Sequence, residues 1–268
     1  MAEAEENILS LFEKLSEAEK TLQTLSYRLD VEGTIPVTYS VEDYNYLAIG
    51  NSLTRHGACS YWWHDEDGMA ASDLEHDYVH LVSRVLEGKQ GKVHLETVNM
   101  SAWEIQGTDR DETLFLLNPF LDEEVNLITI QLGENTADLD TFERDYESLI
   151  NYIKERCPNA RILIIGDFWT NSNRDELKKE AAENSGVEYV SLEGIKDNSA
   201  YYAGMGTTVY DEEGNPHQID HEGVALHPGD MGMAAIADRI ISAIEINDSS
   251  AARVMPENSS IDFEKRER

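Results

Sequence analysis

The sequence predicts an α/β fold with a mostly parallel sheet and helices on both faces, on three observations. Short apolar runs at residues 46–49, 125–132, 160–165 and 187–192, with a weaker one at 94–98, have the length of buried strands. Between them lie stretches of helical character at about 73–87, 111–122, 138–156 and 173–185, so strand and helix alternate. The last, 230–246, carries Met233, Ile236, Ala237, Ile240, Ile241 and Ile244 on one stripe, as a helix packed on a sheet must.

The flanks have a different character. In residues 3–30 the apolar positions Ile8, Leu11, Leu15, Ala18, Leu22, Leu25 and Leu29 recur at alternating spacings of three and four. That is a heptad seam and predicts a coiled-coil helix, or an amphipathic helix lying on the domain's own surface. Gly33-Thr34-Ile35-Pro36 ends it. The seam makes the chain a candidate homo-oligomer. Residues 247–268 are polar and charged without a periodic apolar face and read as a disordered tail. The chain therefore divides into an N-terminal helix and linker (1–36), an α/β domain (37–246) and the tail (247–268). Within the domain, 207–220 reads as a β-hairpin about the turn Glu213-Gly214-Asn215-Pro216.

Bulk properties narrow the function. The formal net charge is −32 over 268 residues, which argues against nucleic acid and anionic membrane surfaces as partners, since phosphate binding needs clustered Lys and Arg. No apolar run is long enough to span a membrane. The acidic start lacks the basic and apolar regions of a signal peptide, and Cys59 and Cys157 have no metal-ligand spacing. Both points lead to the expectation of a cytoplasmic protein. No Gly-rich phosphate loop follows a strand, so no nucleotide cofactor is expected. The adjacent His64, Asp65, Glu66 and Asp67 do not predict a metal site, because neighbouring side chains seldom converge on one ion.

Three polar segments fall where strands end, which is where open α/β sheets place their active sites. Gly50-Asn51-Ser52-Leu53-Thr54 follows the first strand, and glycine there permits the sharp turn that presents a serine. Gly133-Glu134-Asn135 follows the most apolar strand, and an amide there can donate to a substrate oxygen or cap a helix. His227-Pro228-Gly229-Asp230 opens the last helix, with the histidine just outside it.

Taken in order, these segments resemble the SGNH (GDSL-like) hydrolases over roughly residues 44–246. The first resembles that family's Gly-Asp-Ser-Leu block with Asn51 in place of Asp. The second resembles Gly-x-Asn-Asp with Thr136 in place of the last Asp, and His227-Pro228 resembles the terminal Asp-x-x-His-Pro block. The resemblance implies a flavodoxin-like three-layer α/β/α sandwich, Ser52 as nucleophile, His227 as base and Asn135 as an oxyanion donor, with the Ser52 N–H beside it.

Two departures bear on mechanism. The family's second block supplies a glycine N–H to the oxyanion hole, whereas here the stretch is Asn99-Met100-Ser101-Ala102-Trp103-Glu104. An N–H of Ser101 or Ala102 is the substitute. The residue three before His227 is Val224 rather than an acid, leaving Glu222, then Asp220, then a main-chain carbonyl as candidates to orient the imidazole. Trp62 and Trp63, and at another strand end Trp103 and Glu104, are the candidate substrate-binding residues. The expected activity is removal of a small acyl group, acetyl first, from a carbohydrate or other small ester. An O-acyltransferase and a catalytically silent binding module assembled by the N-terminal helix are the alternatives.

Overall fold

The computed structural model describes residues 34–196 and 198–253. The heptad seam at 3–30 and the tail beyond 253 lie outside the described residues. Strands β1 (Tyr44–Gly50), β2 (Val93–Asn99), β3 (Leu127–Gln131), β4 (Arg161–Ile165) and β5 (Glu188–Val190) form one sheet in the order β2-β1-β3-β4-β5. Every pairing in it is parallel. This is the flavodoxin-like order, in which the chain reverses direction across the sheet between β1 and β3 and leaves a crevice beyond their carboxyl ends.

Alternation along each strand explains the three layers. Leu47 and Ile49, Ile128 and Ile130, and Ile162 and Ile164 face helix α3 (Phe142–Arg156) and Ala181 and Ala182 of α4 (Ser172–Ser185) in one core. Tyr46 and Ala48, Leu127, and Leu163 and Ile165 face the opposite way, against α1 (Tyr78–Gln90) and α6 (Asp230–Arg253). Period two sends neighbouring residues to opposite faces, and both faces are apolar because both are covered. Met233, Ile236, Ala237, Ile240 and Ile244 are the buried side of α6, at the spacing expected of a helix laid on a sheet.

Some boundaries differ from expectation. Helix α6 continues to Arg253, past the expected end at 246. The helix expected at 73–87 begins only at Tyr78, after a 3-10 turn at Leu74–His76, because the Asp77 carboxylate accepts the His80 N–H at 2.7 Å and caps it there. Residues Gly107–Phe120 wind as 3-10 turns rather than as a helix from 111. Pro119 removes a donor from that segment, and the Thr113 hydroxyl bonds back to the Arg110 carbonyl at 2.8 Å. A five-residue helix, α2 (Ser101–Ile105), was not expected.

The hairpin lies where expected, as β6 (Thr208–Tyr210) and β7 (Pro216–Gln218), antiparallel, with Gly214 at φ 81° in its turn. Together with a short helix α5 (Glu222–Ala225) it covers the loop at 61–70. Trp62, Met69, Ala70, Val209, Ile219, Val224 and Ala225 form a third, smaller apolar cluster there. No helix among the described residues is long and apolar enough to cross a membrane.

Candidate active site

The turn that carries Ser52 is built on two close approaches. A Cβ on Gly50 would lie 1.8 Å from the Thr54 hydroxyl oxygen and 2.9 Å from the Gln131 carbonyl, so only glycine ends β1 this way. The chain then wraps around Asn51, whose carbonyl accepts from the Thr54 and Arg55 N–H groups at 3.0 Å each. Its side-chain oxygen accepts the Leu53 N–H, also at 3.0 Å. Ser52 is lifted out of this turn, half-buried, with its Oγ 2.9 Å from His227 Nε2.

His227 comes from the other end of the chain and is held on three sides. Its N–H bonds to the Val224 carbonyl at 2.9 Å, its carbonyl accepts from Ala203 at 2.9 Å, and its ring meets the edge of Trp169 at 5.0 Å and 81°. Nδ1 donates to the Gly223 carbonyl at 2.8 Å. That contact selects the tautomer in which Nε2 carries the lone pair facing Ser52. Burial pushes His227 down to about 4, with His56 and His221 adding to the shift and the Gly223 carbonyl opposing it.

The two carboxylates expected to orient His227 do not do so. Asp220 and Glu222 are both exposed, and the main-chain carbonyl takes their place. The reason lies in α5. Its last turn tightens, so the His227 N–H bonds to Val224 rather than to Gly223, which leaves the Gly223 oxygen for the ring. Val224 itself is buried in the third apolar cluster.

Beneath Ser52 lies a buried polar network. Asn51 is fully buried and its amide donates to Glu104 Oε1 at 3.0 Å and to Glu134 Oε2 at 3.1 Å. Glu134 Oε1 accepts from Gln131 at 2.6 Å and from the Phe168 N–H at 3.0 Å. Burial pushes Glu134 up, reinforced by Asp167 and Glu104 and opposed by Lys178. Asp167 in turn bonds Arg174 at 2.5 Å and Lys178 at 3.0 Å, all three being buried. This arrangement explains why asparagine stands at 51. An aspartate there would set a third carboxylate against two others, whereas the amide donates to both.

Several candidate residues sit elsewhere than expected. Trp62 is 1% exposed, Trp103 0% and Glu104 1%, so none of the three faces a substrate. Trp62 fills the third cluster, and Trp103 packs among Phe142, Tyr146 and Arg110. Glu104 turns inward to accept from Asn51, from the Gly133 N–H at 2.5 Å and from the Asn135 amide at 2.6 Å. Trp63 is half-buried, one face stacked on His217 at 4.5 Å, as Tyr61 is on His221 at 4.3 Å. The Ser101 N–H bonds to the Asn99 side chain at 2.9 Å and so is not free for an oxyanion. Among the described residues the Ser52 and Ala102 N–H groups have no acceptor. Asn135 is exposed and keeps its second amide N–H.

Sequence reasoning missed Trp169, whose indole N–H also bonds to the Leu226 carbonyl at 3.1 Å and ties the end of β4 to the histidine loop. Gly166-Asp167-Phe168-Trp169 follows β4 directly, so the strand-end rule that found the other segments would have found it too.

No protein-family model matches the sequence, and no curated protein matches it. Solved structures do. A two-domain esterase active on acetylated mannans superposes at a TM-score of 0.53 with 16% identity, over 82% of this chain and 54% of that one. A family two carbohydrate esterase from Clostridium thermocellum in complex with cellohexaose gives 0.50 and 17%, over 80% and 67%. An acetylxylan esterase from Geobacillus stearothermophilus, a catalytic mutant, gives 0.48 and 15%, over 75% and 94%. The chain thus spans little more than half the length of the mannan esterase. At these identities the likeness is one of architecture alone, a parallel α/β sheet covered by helices on both faces.

Proposed function

We propose that the chain is a serine ester hydrolase that removes a small acyl group, acetyl in the first instance, from a carbohydrate. The observation that carries this is the Ser52 Oγ–His227 Nε2 contact of 2.9 Å, with Nδ1 fixed at 2.8 Å, at the carboxyl edge of the sheet. Nucleophile, base and orienting acceptor are joined by successive hydrogen bonds, the relay acyl transfer requires.

The steps follow from the atoms present. His227 Nε2 takes the Ser52 proton as Oγ bonds to the ester carbonyl carbon, and the carbonyl oxygen becomes an oxyanion. The Ser52 and Ala102 N–H groups and the Asn135 amide are the candidate donors to it, each good donor contributing about 3–4 kcal/mol. Collapse breaks the bond to the leaving alcohol, whose oxygen takes the proton from Nε2. Water then repeats the sequence on the acyl enzyme, releasing the carboxylic acid and restoring Ser52. The orienting acceptor is a neutral carbonyl, so this is a dyad rather than a triad. The carbohydrate assignment draws support from two proteins that share the fold, the esterase active on acetylated mannans and the carbohydrate esterase in complex with cellohexaose.

Two outcomes test the dyad. Glu222→Gln and Asp220→Asn are each expected to leave kcat on p-nitrophenyl acetate within about threefold of wild type, against about 10⁴ when a true triad aspartate is changed to its amide. A loss of tenfold or more in either would restore a carboxylate to the mechanism. The second outcome is a pH profile. Only neutral imidazole is a base, so kcat/KM in the free enzyme should climb through the depressed value of about 4 and be flat above pH 5. A midpoint near an ordinary histidine's value of about 6.5 would contradict it. The same shift costs stability as pH falls from about 6.5 toward 4, because the unfolded chain then binds a proton that the folded one refuses. Circular dichroism across the range separates that loss from the titration of the base.

A further inference from the structure

Glu104 is the feature of this site that the proposed mechanism leaves unused. It stands on α2, beyond the carboxyl end of β2, almost completely buried. Among the described residues no Lys, Arg or His ion-pairs with it. Its carboxylate instead takes three N–H groups from two other segments. Asn51 and the Gly133 N–H share Oε1, at 3.0 and 2.5 Å, and the Asn135 amide binds Oε2 at 2.6 Å. A carboxylate with no cation beside it is costly to bury, and it is tolerated only where hydrogen bonds satisfy it.

The chemistry of the contact with Asn135 decides what it does. A carboxylate only accepts, so only the NH₂ end of the Asn135 amide can face it. With one N–H taken, the other diverges from it by about 120° in the amide plane, and its direction is fixed by Glu104. Asn135 is otherwise exposed and would rotate freely. Gly133, at φ 130°, carries the chain into this position, and its own N–H is held by the same carboxylate. Asn51, bonded to the other oxygen, precedes Ser52 in the chain, so one carboxylate sets the oxyanion donor relative to the nucleophile.

We propose that Glu104 is a positioning residue that orients the Asn135 amide N–H toward the oxyanion, an inference that rests on the hydrolase reading above. A donor aimed before the reaction contributes to the transition state without reorganising during it. Its loss should therefore lower kcat and leave KM nearly unchanged.

The test is a double-mutant cycle on p-nitrophenyl acetate with wild type, Glu104→Gln, Asn135→Ala and the pair. Two donors share Oε1, so the glutamine is expected to keep its carbonyl there and turn its NH₂ toward Asn135, reversing that amide. Glu104→Gln and Asn135→Ala should each lower kcat by about 10², with KM within about threefold. The pair should be no more than about threefold slower than the worse single variant, because both changes remove one interaction. If the glutamine variant does not fold by circular dichroism, Glu104→Asp, which keeps the charge and shortens the reach, should give the same kcat loss and the same non-additivity. Losses that multiply in full would mean a structural role and overturn the proposal, as would a Glu104→Gln variant within threefold of wild-type kcat. Failure of the hydrolase reading would look different: wild type and Ser52→Ala would be equally inactive.

Discussion

Ser52→Ala is expected to remove ester hydrolysis, with kcat on p-nitrophenyl acetate falling by at least about 10⁴. The Oγ that His227 Nε2 meets at 2.9 Å is the only part of the serine that the proposed step uses. Alanine deletes that oxygen and leaves the turn around Asn51, which is held by main-chain and Asn51 side-chain contacts that do not involve Oγ. The melting temperature should accordingly stay within a few degrees of wild type. A serine-directed fluorophosphonate should label wild type at Ser52 and leave the variant unlabelled, with intact mass spectrometry as the readout. Retention of more than a tenth of wild-type turnover would remove Ser52 from the mechanism and return the silent binding module as the reading.

Asp167→Ala is expected to have the largest effect on stability. Asp167 and Lys178 are both fully buried and Arg174 nearly so, and the two cations bond different oxygens of the one carboxylate. Removing the carboxylate leaves two cations in a low-dielectric interior with no anion bonded to either. Breaking a buried pair in this way costs about 3–5 kcal/mol. For a chain of this length that corresponds to a fall in melting temperature of roughly 10 °C. Adding Lys178→Met to the variant should recover part of the loss, because one unpaired charge goes with it. A single-variant loss below about 1 kcal/mol in urea unfolding would show that water or a rearranged Glu134 compensates the cations.

What could be read from sequence and what could not divide along physical lines. The runs of β1, β3 and β4 were legible because burial on both faces imposes a continuous pattern, and the stripe on α6 because a helix on a sheet imposes another. Gly50 before Ser52 was legible because only glycine fits the turn. Direction was not. Trp103 and Glu104 were placed correctly near a strand end, but the inward rotation of α2 buries both, and nothing in residue type separates a carboxylate facing a cleft from one accepting three N–H groups. The group holding His227 was illegible for another reason. Every residue carries a carbonyl, so a main-chain acceptor leaves no mark in the sequence, while Glu222 and Asp220 carry the conspicuous side chains. Val224 reads in the sequence as a missing acid, and its place in the third apolar cluster depends on the position of the hairpin.

That carbonyl has a consequence for how the site tolerates genetic change. A triad that relies on an aspartate can lose its third member through a single codon. Here the acceptor belongs to the peptide unit at Gly223, and every amino acid that could be encoded there brings the same oxygen. The acceptor oxygen itself thus survives any point mutation, and a side chain at 223 acts on His227 only through the path of the chain, a Cβ there lying 3.0 Å from the His221 ring. Selection acting on this part of the apparatus would be recorded in loop length and backbone conformation between the hairpin and α6, not as an invariant side chain.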